Sequence, residues 1–332
     1  MVNLPDSLYE DYTISRVNLP SALASTVPPS PDIRMIIKWV NDLHNNIPST
    51  FDFALQNLTI HRKNFEILPR LLWKSHFTVA MLLQAPRFVI FTLNFIQFMQ
   101  EILKIYPLTS RPVYSQNWMH LRVYNILLLF QCITHYPETR NCFLKADMQY
   151  YFYPLMDINV TDPRLECLRI GALGVIAHML RPPVDPAAVC YLVNTSCLQH
   201  CTKAIEIGST ESKTIAVFII NKILSTGEGL QYCCVLPDRF FFIDGLLKRL
   251  LMYLTTMARP CPSLFNLLVG CYTSLSYKPR ARRGLRRYLP DMLFNNTFAS
   301  LLAADPAAER NRRELIKNLE MKTQPEKNRY IS

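Results

Sequence analysis

The chain has 332 residues, of which 50% are hydrophobic, and it carries a formal net charge of +11 at pH 7. Its 8 glycines are too few for the turns of a many-stranded sheet, and its 23 prolines stand singly between apolar runs, as helix starts and stops do. The composition therefore indicates helices and argues against both a sheet protein and a disordered tract.

The apolar runs are too short to cross a membrane. The most apolar of them, residues 88–99, covers about half of the roughly 20 residues that a spanning helix needs. Ten cysteines lie largely within helical apolar runs, and no signal peptide opens the sequence. We therefore expect reduced thiols, no membrane partner and a protein of the cytoplasm, with the nucleus as a second location.

The chain begins with residues 1–30, which are polar, dotted with proline and without a period, so we expect a flexible leader. The ordered domain is predicted to cover residues 31–320, and residues 321–332 to form a flexible tail. A first helix is indicated by apolar residues at helical spacing with Trp39 beside them: Ile33, Ile36, Ile37, Val40 and Leu43.

Longer helices follow. After short helices at 53–58 and beyond Pro69, the apolar pattern predicts long inner helices over 121–133, 165–179, 210–224 and 264–275. Their starts recur at roughly 45 to 50 residues, near the period of armadillo and HEAT repeats. Each repeat would contain a short helix, a second helix such as 243–254, and the long inner one.

The predicted helix that follows Gly208 is apolar on almost every side from Ile215 to Leu224, which only an interior helix tolerates. Gly208 would end the preceding helix, and Ser209 or Thr210 would cap this one. Gly227 and Gly229 are expected to bracket a turn before a second short helix.

One motif occurs twice. Pro137-x-x-Arg140-x-x-Phe143 and Pro279-x-x-Arg282-x-x-Leu285 place a proline, an arginine and an apolar residue in the same register, about three such periods apart. The sequence thus predicts that both segments open equivalent repeats.

Several ordered blocks together resemble one family, the armadillo-repeat subunit of the CCR-NOT deadenylase complex, also called the "required for cell differentiation" family. The resemblance covers about Asp32 to Leu319. The blocks are Leu71-Leu72-Trp73, His135-Tyr136-Pro137-Glu138-Thr139-Arg140, Leu173-Gly174-Val175-Ile176, Ser212-Lys213-Thr214, Phe218-Ile219, Lys222-Ile223-Leu224, Pro279-Arg280-Ala281-Arg282, Leu289-Pro290-Asp291 and Thr297-Phe298-Ala299.

The resemblance implies an all-α, armadillo-like helical solenoid of about six repeats without enzymatic activity or cofactor. Such a protein would bind the scaffold subunit of the complex and the tryptophan-containing or short helical motifs of silencing factors. It would act in mRNA deadenylation and translational repression. The alternative function is a regulator of transcription or differentiation that binds single-stranded nucleic acid through a basic concave groove. A second copy of the chain, in a homodimer, is a further candidate partner.

Family positions for partner binding carry over with differences. The scaffold-docking segment corresponds to Trp73, Lys74, His76 and Ala80, of which residues 74 and 76 differ from the family. Ile215 matches an aliphatic position that receives short helical motifs, and the apolar run around it equally fits a plain core residue. Arg239 matches an arginine beside a tryptophan pocket, but Pro237 stands where the family has a tyrosine.

The strongest polar signal is the segment 278–287, in which six of ten residues are basic. On a helix, Arg280, Arg283 and Arg287 would share one exposed face, with Ala281, Leu285, Tyr288 and Leu289 buried. Arg62 and Arg280 match groove arginines of the family, while a third falls near the uncharged Ser263. Two interpretations of this basic segment are open: it binds phosphate, or it is a solvated surface whose charge is balanced by acidic neighbours.

The sequence offers few candidate residues for a catalytic or metal site. The sequence has no glycine-rich phosphate loop and no carboxylate cluster of the kind that a magnesium-dependent nuclease needs. Cys197, His200 and Cys201 could supply three zinc ligands, but no second pair stands at finger spacing. We interpret them as packing residues and expect no metal.

Residues 85–100 look inserted, because family members run directly from the positions of Leu82–Gln84 to those of Glu101 and Ile102. Pro86 would break a continuous helix at a cost of about 3 kcal/mol. Two interpretations are open: an extra helix across the scaffold-docking face, or an unspliced intron in the gene sequence.

Overall fold

The computed structural model of the protein describes residues 31–43, 45, 47–74, 93–110 and 117–321. Every regular element in these residues is a helix. The expected leader, residues 1–30, lies outside the described part, as does the expected tail from residue 322 onward. None of the described helices is both long enough and apolar enough to cross a membrane.

The α-helices are numbered here in chain order. They are α1 (Ile33–Asp42), α2 (Pro48–His61), α3 (Leu68–Lys74), α4 (Leu93–Thr109), α5 (Asn117–His135), α6 (Pro137–Lys145), α7 (Tyr153–Met156), α8 (Pro163–Met179), α9 (Pro186–Asn194), α10 (Cys197–Ile207), α11 (Thr210–Leu224), α12 (Gly227–Val235), α13 (Pro237–Thr256), α14 (Pro262–Ser276), α15 (Pro279–Tyr288), α16 (Ala299–Ala304) and α17 (Pro306–Glu320). Short 3-10 helices occupy Met148–Tyr151, Asp291–Leu293 and Asn296–Phe298.

Proline begins many of these helices, as its scattered occurrence indicates. It stands in the first turn of α2, α6, α8, α9, α13, α14, α15 and α17, where its missing N–H would have no partner in any case. The predicted long helices are confirmed as α5, α8, α11 and α14. The helix α11 has the predicted bounds, and the other three are a few residues longer than predicted.

The spacing of the long helices agrees with the predicted repeat. The long helices α5, α8, α11, α14 and α17 start at Asn117, Pro163, Thr210, Pro262 and Pro306. These starts are roughly 45 to 50 residues apart, as in armadillo and HEAT repeats. Between consecutive long helices lie two further α-helices, such as α9 and α10 before α11, which agrees with the predicted repeat of three helices.

The contacts divide the chain into two compact units after Ile219. In the first unit α5 packs most extensively against α8, with α2, α3 and α4 also against α5. Its core is built on the long helices, where Ile126, Phe130 and Leu168 are fully buried. In the second unit α14 is central and packs against α13, α15 and α17, with Leu267 and Tyr272 fully buried.

The predicted interior helix is confirmed. From Ser212 to Leu224 every residue of α11 is buried. Gly208 ends α10, and Ser209 rather than Thr210 caps α11, because its hydroxyl oxygen accepts the Ser212 N–H at 3.2 Å. Gly227 and Gly229 do not bracket a turn. They form the first turn of α12 itself.

The twice-repeated motif has a structural cause. The Nε of Arg140 donates to the carbonyl of Thr134 at 3.0 Å, and the Nε of Arg282 donates to the carbonyl of Ser276 at 2.9 Å. Each arginine thus caps the C-terminal end of the preceding long helix, whose last carbonyls lack partners within the helix. The predicted equivalence of the two segments is confirmed.

Three residues lie on different faces from those predicted. Ile33 and Ile37 of α1 are exposed, because the buried side of α1 is formed by Ile36, Trp39 and Val40. Tyr288 is also exposed, at the end of α15, where the chain leaves the helix direction and Leu289 turns inward instead.

Candidate peptide and nucleic-acid interfaces

A buried polar cluster fixes the start of α11, the helix that carries Ile215. The Glu166 carboxylate accepts the Ser209 N–H at 2.7 Å and the Ser212 hydroxyl at 2.6 Å, and it pairs with the guanidinium of Arg169. Arg169 is fully buried, and its Nη2 donates to the carbonyl of Ile158 at 2.6 Å. Burial lowers the pKa of Arg169, while Glu166 opposes this shift. The cluster therefore ties α8 to the first turn of α11.

Ile215, the predicted contact for short helical motifs, lies in the first half of α11. Its side chain is only 3% exposed, and the neighbouring Ala216 and Val217 are fully buried. A peptide could therefore touch only the edge of this side chain in the described conformation. Peptide binding at Ile215 stays a prediction.

The predicted tryptophan pocket is organised around Arg239 near the start of α13. The Cζ of Arg239 lies 3.7 Å from the ring centroid of Tyr232, and its Nη1 donates to the Tyr232 carbonyl at 3.3 Å. Pro237 is exposed, next to the exposed apolar residues Val235 and Leu236. One face of the guanidinium is thus covered by an aromatic ring from α12, and an indole could stack only on the other face.

The basic helix α15 divides its arginines between two roles. Arg282 caps α14, and Arg286 donates from its Nε to the carbonyl of Leu319 at 2.5 Å. By contrast, Arg280, Arg283 and Arg287 are exposed, as the sequence predicts. Within the described residues neither Arg283 nor Arg287 takes part in an ion pair, although Arg287 lies over the ring of Tyr288 at 5.5 Å.

Arg62, the other predicted groove arginine, follows α2 and belongs to the first unit, whereas α15 belongs to the second. Its Nη1 donates to the carbonyl of Thr59 at 2.7 Å, so part of its hydrogen-bonding capacity is used inside the protein. A groove lined by arginines of both units stays a prediction.

The predicted scaffold-docking segment lies mostly outside the described residues. Trp73 is half-buried in α3, and Lys74 is the last residue of that helix. His76 and Ala80 belong to the stretch 75–92, which is outside the described part. Docking through these four residues stays a prediction.

His200, the histidine considered as a zinc ligand, has two partners inside the protein. Its ring stacks on Tyr153 with centroids 4.1 Å apart, and its Nδ1 lies 2.6 Å from Oδ2 of Asp157. Cys197 and Cys201 are buried on the same helix, α10. Among the described residues no group of three or more His, Cys, Asp or Glu side chains is placed to hold a metal ion.

His135 and His178 lie near each other and near several arginines. The Nη1 of Arg181 lies 2.6 Å from Nδ1 of His135, and Nδ1 of His178 lies 2.7 Å from the Gly174 carbonyl oxygen, to which it donates. Burial and the nearby arginines lower the pKa of His135 to about 4 and that of His178 to about 3. Both imidazoles are therefore neutral at pH 7 and serve as packing and hydrogen-bonding groups.

A comparison with known families matches residues 39–319 to the "Cell differentiation family, Rcd1-like". The chain belongs to this family. It is 32% identical to the cell differentiation protein rcd1 of Schizosaccharomyces pombe over 291 residues, which cover 88% of this chain and 95% of that protein. It is also 32% identical to protein CAF40 of Saccharomyces cerevisiae over 270 residues, which cover 81% of this chain and 67% of the yeast protein. The resemblance inferred from the sequence is thus confirmed.

Solved structures identify the fold of this Rcd1-like chain. A designed armadillo repeat protein aligns with a TM-score of 0.54 at 13% identity and covers 86% of this chain and 100% of its own. A second designed armadillo protein, solved with the peptide (KR)4, aligns with a TM-score of 0.51 at 14% identity over 86% of this chain and 99% of its own. These similarities show the fold, and the prediction of an all-α, armadillo-like protein is confirmed.

Two features of the Rcd1-like chain could not be found from the sequence. Tyr232 occupies a face of Arg239 from seven positions earlier, across the end of α12, where no motif marks it. Phe241 of α13 and Tyr288 of α15 form an exposed edge-to-face pair with centroids 5.8 Å apart. The only signal for the pair was the aromatic content of the two segments.

Proposed function

We propose that this Rcd1-like chain is a non-enzymatic adaptor subunit of the CCR-NOT deadenylase complex. It binds the scaffold subunit and peptide motifs of silencing factors, and so acts in mRNA deadenylation and translational repression. The observation that carries the proposal is the family match over residues 39–319, nearly all of the described chain. The armadillo-like fold supports it, because stacked helical repeats offer long surfaces to partners.

The buried titratable groups favour an adaptor over an enzyme. Burial raises the pKa of Cys167, Cys233 and Cys271 to about 12, so these thiols are not thiolate nucleophiles at neutral pH. Glu166 and Arg169 neutralise each other and hold two helices together. These five groups are thus part of the packing of the helices.

The decisive experiment measures binding of the full chain to the purified docking segment of the scaffold subunit by isothermal titration calorimetry. We expect saturable binding, and we expect Trp73→Ala to weaken it. Trp118→Ala is the matched control, because Trp118 is an exposed tryptophan outside the predicted docking segment. No binding by either the unaltered chain or a chain without residues 85–100 would refute the adaptor role, whereas equal effects of the two substitutions would refute only the docking position.

The weakened tryptophan pocket is tested separately with a tryptophan-containing peptide. Pro237→Tyr restores the aromatic residue of the family and should strengthen binding by something on the order of 1 kcal/mol, the value of one ring pair. Arg239→Ala added to Pro237→Tyr should remove the gain, since the restored ring would lose the opposite wall. A titration without any gain would show that this pocket no longer binds indole.

A second candidate function, binding of single-stranded nucleic acid, is favoured by the exposed arginines of α15. We expect Arg280→Glu with Arg283→Glu to weaken binding of a fluorescent oligonucleotide and to flatten its salt dependence, because two phosphate contacts become repulsive. Arg310→Glu with Lys317→Glu, two exposed cations of α17, makes the same change of net charge and is the control. Unchanged affinity of the double variant at low salt would refute phosphate binding by α15.

A further inference from the structure

The helix α1 presents apolar side chains to solvent on a side that no described element covers. It packs on α2 and α3 through residues that include Ile36, Trp39 and Val40, which are at most 5% exposed. Ile33 and Ile37 are each 39% exposed and form a row one helical turn apart. Covering these two side chains with another segment or molecule would remove apolar surface from water, which is favourable.

A row of cations lies beside the isoleucines. Arg34 and Lys38 are exposed and follow Ile33 and Ile37 by one position each, so the cations run along α1 about 100° around its axis from the isoleucines. Within the described part of the chain neither cation is in an ion pair. The surface therefore fits an occupant that carries aliphatic or aromatic side chains together with carboxylates.

We propose that residues 4–14 of the same chain dock on this surface, which consists of Ile33, Arg34, Ile37 and Lys38. This segment, Leu-Pro-Asp-Ser-Leu-Tyr-Glu-Asp-Tyr-Thr-Ile, contains three acidic residues and no basic one, in a chain whose net charge is +11. Its aliphatic and aromatic side chains can cover the isoleucines while its carboxylates face the cations. Part of the leader, which is expected from its composition to be flexible, would then be bound to α1.

The chain connection allows this contact. The 17 residues 15–31 can span at most roughly 56–61 Å when extended, at about 3.3–3.6 Å per residue. The whole of α1 is only about 15 Å long, at 1.5 Å per residue. A connection of this length holds the segment at an effective concentration on the order of millimolar, so that a weak contact is populated within one molecule.

A second copy of the chain is a poorer occupant. Stable dimers bury about 800 Å² on each partner, and two partly exposed isoleucines are a small part of such an area. A homodimer also places identical cations against each other unless acidic groups face them, because a twofold interface is formed by the same surface on both copies.

The test is amide hydrogen exchange of the full-length chain, followed by mass spectrometry of peptides from residues 4–14. We expect exchange at least several-fold slower than in a free synthetic peptide of the same sequence. Reversing the acidic residues, with Asp6→Lys, Glu10→Lys and Asp11→Lys together, should remove the protection. Adding Arg34→Glu and Lys38→Glu to that variant should restore it, because the charges are then exchanged between the two sides.

As a control, Arg310→Glu is added to the triple variant in place of Arg34→Glu and Lys38→Glu. This substitution changes the net charge in the second unit and should not restore the protection of residues 4–14. Ile33→Ser with Ile37→Ser should also remove the protection, and circular dichroism verifies that this variant is folded. Exchange equal to that of the free peptide, or no recovery on charge exchange, would overturn the proposal. Protection that rises with protein concentration would also overturn it, since a second copy would then be the occupant.

Discussion

Glu166→Gln is the substitution that tests most directly how the repeats are joined. The change keeps the size of the side chain but replaces one carboxylate oxygen with an NH₂ group. The remaining oxygen can still accept from Ser209 and Ser212, which donate at 2.7 Å and 2.6 Å. The NH₂ group then faces the guanidinium of Arg169, a donor against a donor, and leaves that buried charge without its counter-ion.

The expected loss of stability follows from this burial. The Arg169 side chain is fully buried and that of Glu166 is 17% exposed, so solvent screens the pair weakly. Removing one partner of a buried ion pair costs about 3–5 kcal/mol. Because the substituted side chain would keep some hydrogen bonds, we expect the lower end, about 3 kcal/mol.

Arg169→Met in the Glu166→Gln background removes the unpaired charge and should recover part of this loss, although the Ile158 carbonyl then loses its donor. The assay is native-state hydrogen exchange of amides in α8 and in α11 up to Ile219, which reports on the first unit separately from the second. A single variant within about 1 kcal/mol of the unaltered chain would refute the counter-ion role. So would a double variant no more stable than Glu166→Gln alone.

Three further predictions concern stability. His135 and His178 have lowered pKa values in the folded chain, so the unfolded chain binds more protons below pH 6.5. The free energy of unfolding, measured by urea denaturation, should therefore fall toward pH 4. The fall is at most about 1.4 kcal/mol per pH unit for each imidazole. Arg140→Met should destabilise the chain more than Arg282→Met does, by about 1–2 kcal/mol, because only the first arginine is buried; equal losses in thermal melts would contradict this. Gly229→Ala would press a Cβ into a carbonyl oxygen of α11, so we expect about 1–3 kcal/mol of destabilisation, whereas the same change at the other glycine of that turn meets no neighbour within 4 Å and should be tolerated.

The long helices could be predicted because burial on almost every side leaves a continuous apolar run. The period of these runs also predicts which positions of neighbouring repeats face each other. Polar side chains form hydrogen bonds between such facing positions. Gln131 donates to the carbonyl of Gly171, 40 positions later, and Thr134 donates to the carbonyl of Val175, 41 positions later. In the second unit Asn318 donates to Ser276 across 42 positions. One repeat thus satisfies the polar groups of the next.

The identity of each partner could not be predicted from the period. Glu166 reaches Ser209 and Ser212 across 43 and 46 positions, but many other polar residues stand at similar separations without pairing. Side-chain direction decides between them, and it depends on how far each helix rotates against its neighbour. The same rotation explains why Ile33 and Ile37 are exposed, since Trp39 takes the buried position that the spacing alone assigns to them.

The core position of Phe98 in segment 85–100 would be filled by Leu82 if this segment were absent. The helix α4 runs from Leu93 to Thr109 and crosses the predicted junction before Glu101 without interruption. Phe98 is fully buried and meets Phe130 edge to face, with centroids 5.9 Å apart. Deleting 85–100 would join Gln84 to Glu101, which moves Leu82 to the place of Phe98, three positions before Glu101. The core position would remain apolar in either chain, so its burial does not separate an inserted helix from a retained intron.

The deletion itself separates the two interpretations, because they differ in what the segment does outside the core. If residues 85–100 are absent from the natural protein, the shortened chain loses an aromatic segment without a place in the repeat pattern while Leu82 refills the core. We then expect a higher melting temperature and tighter binding of the scaffold segment. Phe98→Leu in the full chain is the control, since it makes the same core exchange without removing the segment. A shortened chain that melts lower than this control, or binds no better, would show that the segment is a working part of the fold.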